Sequence, residues 1–181
     1  MFFKAPPHRN LYTERLIIRV PSFLDVNDVF EFCSDPASCK YADWYPHNSK
    51  SETRDFLAWI KRKSEYKNYT WVIEHRQDKK VIGTISIVDA DYSGKIFTVG
   101  YTLSKIYQHQ GYATESLKAL TDYLLGELFA ERIQAKVMPE NSASCRLLER
   151  VGFKNEGLLK KGAFRRNECV DVFIYAMTQN R

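Results

Sequence analysis

Between Ile96 and Val137 the chain changes from strand pattern to helix pattern and back. Ile96 to Leu103 is an apolar strand-like run, and Ile133 to Val137 is another. Between them Ala113, Leu117, Leu120, Leu124 and Leu128 form one apolar stripe at helical spacing, on a helix read as Glu115 to Phe129. Strand, helix and strand in this order call for parallel pairing across a crossover helix. That geometry sets Gln108-His109-Gln110-Gly111-Tyr112-Ala113-Thr114 between the end of a strand and the start of a helix. Backbone N–H groups converge at such a point and the helix dipole adds partial positive charge, so the loop is a ready anion site. Gly111 has no Cβ and lets the backbone approach a phosphate closely. Alone the loop is a weak motif: it lacks the Gly-Lys-Ser/Thr ending of a Walker loop and the three glycines of a dinucleotide fingerprint.

The flanking sequence predicts more sheet. Leu11 to Val20 reads as one strand, ended by Pro21. Asp25 caps a helix with Val26, Val29, Phe30 and Cys33 inward, and Asp35-Pro36 stops it. Cys39 to Asn48 is irregular, and its Tyr41, Asp43, Trp44, Tyr45 and His47 suit a substrate wall or a surface turn equally. Ser49 and Glu52 form a capping-box pair for a helix to about Tyr66, with Phe56, Leu57 and Ile60 inward and Lys61-Arg62-Lys63 in solvent. Tyr69 to His75, Val81 to Asp89 and Ile96 to Leu103 are linked by short turns, an antiparallel meander. Phe153 to Lys161 and Glu168 to Thr178 form a last hairpin. There Val170, Val172, Ile174 and Ala176 alternate with Asp171, Phe173 and Tyr175, so both faces are read as covered. With no repeat, low-complexity stretch or linker, residues 1–181 are read as a single mixed α/β (α+β) domain.

Composition narrows the function classes. The chain has 181 residues, 44% hydrophobic and 27% charged, as expected of an ordinary globular protein. Its net charge of +5 suits a polyanionic cofactor or an acidic partner but is short of a nucleic-acid footprint. No apolar run approaches a membrane span, and Met1 to Pro7 has no signal-peptide core. Cys33, Cys39, Cys145 and Cys169 have neither paired spacing nor a His cluster, so they are read as free thiols and no metal site is expected. Cys145 is read as a small buried hydrophobe rather than a nucleophile.

Just after Ile133 to Val137 come Asn141, Ser144, Glu149, Gly152 and Phe153. With the Gln108–Thr114 loop they resemble the acyl-CoA pocket of the GCN5-related N-acetyltransferase (GNAT) superfamily, and most nearly the branch that acetylates ribosomal-protein N-termini. The resemblance is densest from Gly100 to Leu159, and Thr13 to Arg19 resembles that branch's opening strand. It implies a GNAT-like, mostly antiparallel sheet of about seven strands, flanking helices, and a strand pair that splays apart at the acyl-CoA site. It implies acetyl-CoA as co-substrate. The backbone of Tyr101, Thr102 and Leu103 would meet the pantetheine, and Gln108, His109, Gln110, Gly111, Tyr112, Ala113 and Thr114 the pyrophosphate. Ser144 is implied near the sulfur, as proton donor or thiolate hydrogen-bonder. Asn141 would offer an amide to the pantetheine or fill an ordinary N-cap. Tyr101 and Tyr107 lie near the same region, with core packing the plainer reading.

The branch's candidate Glu base in the last hairpin has no counterpart in Lys161-Gly162-Ala163-Phe164-Arg165. Asp43, Glu115, Glu156 and Asp171 remain, acting through water. Glu149 is read as a helix-surface ion pair, and His109 as facing solvent or phosphate. The leading expectation is a cytoplasmic N-acetyltransferase, monomeric or homodimeric, that acetylates the N-terminal α-amine of a protein such as a ribosomal protein. A small amine (polyamine, amino acid, antibiotic) is the alternative acceptor, and a non-catalytic acyl-CoA-binding module or an RNA-binding sheet would be a different class.

Overall fold

The computed structural model describes residues 9–63 and 68–179. Met1 to Pro7 and the expected helix end at Tyr66 lie outside them. Among the described residues the β-branched and aromatic runs build one sheet of eight strands. In chain order these are β1 (Leu11–Tyr12), β2 (Leu16–Arg19), β3 (Tyr69–His75), β4 (Lys80–Asp91), β5 (Ile96–Leu103), β6 (Arg132–Val137), β7 (Lys154–Arg165) and β8 (Glu168–Thr178). They lie side by side as β1-β2-β3-β4-β5-β6-β8-β7. Every neighbouring pair is antiparallel except β5 and β6, the parallel pair that the strand–helix–strand pattern requires.

The expected first strand is two. Thr13 turns the chain back, its N–H bonding Leu16 O and its Oγ1 accepting from Leu16 N, so that Leu11 pairs with Ile18. This split is why the sheet has eight strands rather than about seven. The last hairpin also departs from expectation. The β8 side chains Val172, Tyr175 and Ala176 are buried, but β7 is the outer strand and is exposed along most of its length. Bulges at Gly157 and around Lys160–Gly162, with Lys154, Lys160 and Lys161 along it, blunt that edge against further strand pairing.

Among the described residues four α-helices cover the sheet: α1 (Val26–Ser34), α2 (Lys50–Lys63), α3 (Tyr112–Gly126) and α4 (Ser142–Val151). On one face α3 and α4 pack Leu117, Leu120, Leu124, Leu147 and Leu148 onto Trp71, Ile85, Phe97 and Ile133. Each such leucine contributes about 1.5–3 kcal/mol on burial. On the other face α1 and α2 pack Val26, Val29, Phe32 and Leu57 onto Val72 and Val81. Phe32, not the expected Phe30, fills the buried position of α1. Helix α3 starts at Tyr112 because Gly111 caps it, and ends at Gly126. Phe129 is in the left-handed region, and Ala130 N–H bonds back to Leu124 O. Among the described residues no helix is long and apolar enough to cross a membrane.

Candidate active site

The parallel pair supplies an opening. Strands β5 and β6 are paired only at Ile96–Arg132, Phe97–Ile133 and Thr98–Gln134, after which β5 runs on to Leu103 and β6 to Val137 without pairing to each other. Each is held apart by its other neighbour, β5 by β4 through Leu103 and β6 by β8 through Val137. Ser104 N–H bonds Ile82 O at 2.8 Å. Antiparallel alternation therefore turns Leu103, Tyr101 and Val99 backbone groups away from β4, into the opening, and Thr102 back toward β4. Leu103 O, on the opening side, accepts from Gln108 Nε2 at 3.1 Å. The result is a cleft of about 800 Å³, large for a small-molecule site, running between the two faces of the sheet.

At one end the cleft meets the start of α3. Gly111 sits at φ +85°, a left-handed value that favours glycine, and a Cβ there would come within 3.2 Å of Arg15 Nη2. The first intrahelical bond is Glu115 N to Gly111 O, so the amides before it have no acceptor within the helix. Arg15, from the β1–β2 turn, braces this loop from behind. Its Nη1 donates to Gln110 O at 3.0 Å, its Nε and Nη2 pair with Glu115 Oε2 at 2.7 Å, and its guanidinium lies 4.4 Å from the Tyr112 ring centre. Glu115 Oε1 also accepts from Thr13 Oγ1 at 2.6 Å and Arg15 N at 2.9 Å. Burial works to raise the Glu115 carboxyl, but these hydrogen bonds prevail and its pKa lies below the usual carboxylate value.

Across the opening stands α4. Asn141 is its N-cap, accepting Ser144 N–H at 3.2 Å, and Gly152 ends it in a left-handed conformation. Ser144 Oγ and Tyr101 OH are 2.5 Å apart, joining β5 to α4 where the strands have parted. Burial pushes the Tyr101 phenol well above its ordinary pKa, with the Ser144 hydrogen bond opposing, so the hydroxyl keeps its proton at neutral pH.

On the other face the cleft is walled by the segment after α1 and by the β7–β8 hairpin. Tyr41, Asp43 and Trp44 line it, whereas His47 is buried against Thr53 and Phe56, so the irregular segment is part wall and part core. Two hairpin arginines hold that segment by its backbone. Arg165 Nε donates to Ala42 O at 2.8 Å, and Arg166 donates to Trp44 O at 3.0 Å and Cys39 O at 2.7 Å.

Of the residues expected at the site, Tyr101, Thr102, Leu103, Gln108, His109, Gly111, Tyr112, Ala113, Thr114, Asn141 and Ser144 line this one cleft. Gln110 does not line it; its side chain bonds Ile106 O and its carbonyl faces Arg15. Tyr112 turns its hydroxyl to His75 Nε2, 3.0 Å away, beneath the loop. Most of the candidate bases are engaged: Glu115 as above, Glu156 by Arg132, and Asp171 by Lys161 N–H at 2.8 Å. Hydrogen bonding from Arg132 also lowers the Glu156 pKa. Among the described residues Glu149 forms no ion pair; it accepts from Tyr175 OH at 2.9 Å. Arg146 and Arg150 line the cleft unforeseen, with Arg150 Nη1 reaching Thr114 Oγ1 at 3.5 Å. Their four-residue spacing on α4 was the available signal.

The sequence profile of the acetyltransferase (GNAT) domain matches residues 15–154. The chain is 32% identical over 168 residues, 92% of its length and 94% of the other's, to a Bacillus licheniformis protein named uncharacterized N-acetyltransferase p20. It is 30% identical over 100 residues to the ribosomal-protein-serine acetyltransferase of Escherichia coli, 55% of this chain and 56% of that protein. The crystal structure of a GNAT-family acetyltransferase from Bacillus anthracis superposes with a TM-score of 0.81 at 28% identity, covering 93% of this chain and 98% of that one. The profile's span begins at Arg15, which braces the loop, and ends at Lys154, where β7 begins, so it takes in the whole loop side of the cleft. This chain belongs to the GNAT acetyltransferase family and is an N-acetyltransferase.

Proposed function

We propose that this protein transfers the acetyl group of acetyl-CoA to the N-terminal α-amine of a protein such as a ribosomal protein, with Ser144 and Tyr101 receiving the sulfur. The observation that carries the reading is the Tyr101–Ser144 hydrogen bond across the parted strands. The amides at the start of α3, with Arg150 beside them, suit a pyrophosphate. The outward backbone of Leu103, Tyr101 and Val99 suits an amide-bearing pantetheine arm that adds to β5 like a strand. A thioester laid along it brings its carbonyl to a β5 N–H, which stabilises the developing oxyanion, and its sulfur to the paired hydroxyls.

The neutral amine forms the C–N bond as the C–S bond breaks. A thiolate of pKa near ~8.5 leaves more readily when protonated. Tyr101 and Ser144 supply that proton or a hydrogen bond in its place, and the proton lost by the amine nitrogen restores the balance through water. Asn141 holds the start of α4, and with it Ser144, in position. A dedicated carboxylate base is dispensable for an α-amine, whose pKa is about 8 and whose neutral fraction is appreciable near neutral pH. The local likeness to a ribosomal-protein-serine acetyltransferase supports a protein acceptor, as does a cleft open beside Tyr41 and Trp44. We read residues 1–181 as one acetyltransferase domain.

The test is release of CoA thiol from acetyl-CoA with Ala-, Ser- and Met-starting peptides, beside polyamines, amino acids and aminoglycosides. Turnover of peptides, with kcat lowered roughly ten- to hundredfold in Ser144→Ala and a similar loss in Tyr101→Phe, is the expected result. Turnover of small amines alone removes the protein acceptor. Unchanged kcat in both variants removes the hydroxyl pair from the chemistry.

A further inference from the structure

Among the described residues, Lys40, Lys105, Lys136, Arg146, Arg150 and Arg165 line the cleft, and Asp43 is the one carboxylate facing them. At the α3 end such charge is explained by phosphate. At the opposite end, where the amine must enter, it is not. There Lys40 Nζ lies 5.0 Å from the Tyr41 ring centre, Lys136 Nζ donates to Gly162 O at 3.2 Å, and Arg165 Nε donates to Ala42 O at 2.8 Å. A ring face and backbone carbonyls hold these groups in place without neutralising them. Asp43, close enough to Arg165 to act on its charge, offsets one of the three.

A positive surround has two consequences for an incoming amine. It disfavours the ammonium form and so enlarges the neutral fraction that can attack, where most candidate carboxylate bases are already engaged. It also attracts an anion carried near the amine and repels a second cation. We propose that the amine end of the cleft selects peptide N-termini followed by acidic residues, with Lys40, Lys136 and Arg165 as the specificity-determining side chains. The inference rests on the peptide acceptor proposed above and names its class.

The experiment compares kcat/KM for three peptides of equal length beginning Ser-Asp-Glu, Ser-Ala-Gln and Ser-Lys-Arg, at low and high salt. The acidic peptide is expected to exceed the basic one by tenfold or more, on the order of 1.4 kcal/mol, with the gap closing as salt rises. Both Lys40 and Lys136 are exposed, so the Lys40→Glu/Lys136→Glu variant should fold and should invert the ranking while leaving the KM for acetyl-CoA unchanged. Equal kcat/KM for all three peptides overturns the selection but leaves the peptide acceptor standing. So does an acidic preference that the charge-reversed variant retains. Turnover of none of them, with acetyl-CoA binding intact by calorimetry, overturns the peptide acceptor and this inference with it.

Discussion

The loop end of the cleft and the aromatic end are both braced by arginine, but the arginines grip different things. Arg15 grips a carboxylate and a carbonyl together: Glu115 at 2.7 Å and Gln110 O at 3.0 Å. Arg165 and Arg166 grip carbonyls of the segment from Cys39 to Trp44. At the loop end, regular elements already fix the chain and the ion pair only orients one turn of it. At the aromatic end the segment from Cys39 to Trp44 is neither strand nor helix, and its bonds to the hairpin substitute for secondary structure. The first end, where we propose that acetyl-CoA is held, is built to keep one shape. The second is attached at a few points to a hairpin whose outer strand is exposed.

The largest expected effect falls on the second end. Arg166→Ala leaves Trp44 O and the carbonyl of buried Cys39 without these partners and removes a guanidinium stacked 4.9 Å from the Tyr45 ring centre. Cys39 O keeps the Ala42 N–H at 3.0 Å, but losing hydrogen bonds to a charged group costs about 1.5–3 kcal/mol, so KM for the amine should rise by roughly ten- to a hundredfold. KM for acetyl-CoA should stay within about twofold if the ends are separately braced. Initial rates with each substrate varied in turn decide this, and a parallel rise of both constants breaks the comparison.

Arg15→Ala should do the reverse, more weakly. The amides at the start of α3 remain, but Gln110 O loses its partner, Glu115 keeps only Thr13 Oγ1 and the backbone N–H of residue 15, and the loop can turn its carbonyl toward the phosphates. An increase of about five- to tenfold in KM for acetyl-CoA, with the amine KM unaltered, is expected from loss of one charge-assisted contact. Arg15→Lys keeps the charge but not the fork, and should recover part of the loss. A fall in thermal stability with no change in either KM would reduce Arg15 to a structural role.

This contrast also explains what could be read beforehand. The stripe from Ala113 to Leu124, the meander, the parallel pair and the Asn141 cap are local patterns that period and capping chemistry encode directly, whereas Leu128 and the expected end at Phe129 lie past the helix, which stops at Gly126. The turn at Thr13 is not legible because Leu11, Tyr12, Thr13 and the run Leu16–Arg19 all suit one long strand. The braces were invisible for another reason. Arg15 meets Gln110 and Arg166 meets Trp44 across 95 and 122 residues, and a lone arginine carries no periodic signal. Glu149 likewise looked like a surface charge because its partner, Tyr175, is on a strand 26 residues away.

Acid should separate the two ends by the smallest of these effects. Glu115 titrates below its unfolded value of about 4.3. A depressed carboxyl contributes stability above the unfolded pKa and loses it as pH falls through the folded one. The Glu115→Gln variant should therefore be less stable than the wild type by roughly 1–2 kcal/mol at pH 7, and the difference should shrink as pH drops below about 4. Urea unfolding of both proteins across that range measures it. Arg165 and Arg166 bond to carbonyls, which do not titrate there, so these bonds themselves have no matching loss. Over the same fall in pH, acetyl-CoA should dissociate from the wild type more readily, while in Glu115→Gln its affinity, already weakened, should respond less. A stability difference independent of pH would mean that the loop is held by the shape of Arg15 and Tyr112 and not by the charge of Glu115.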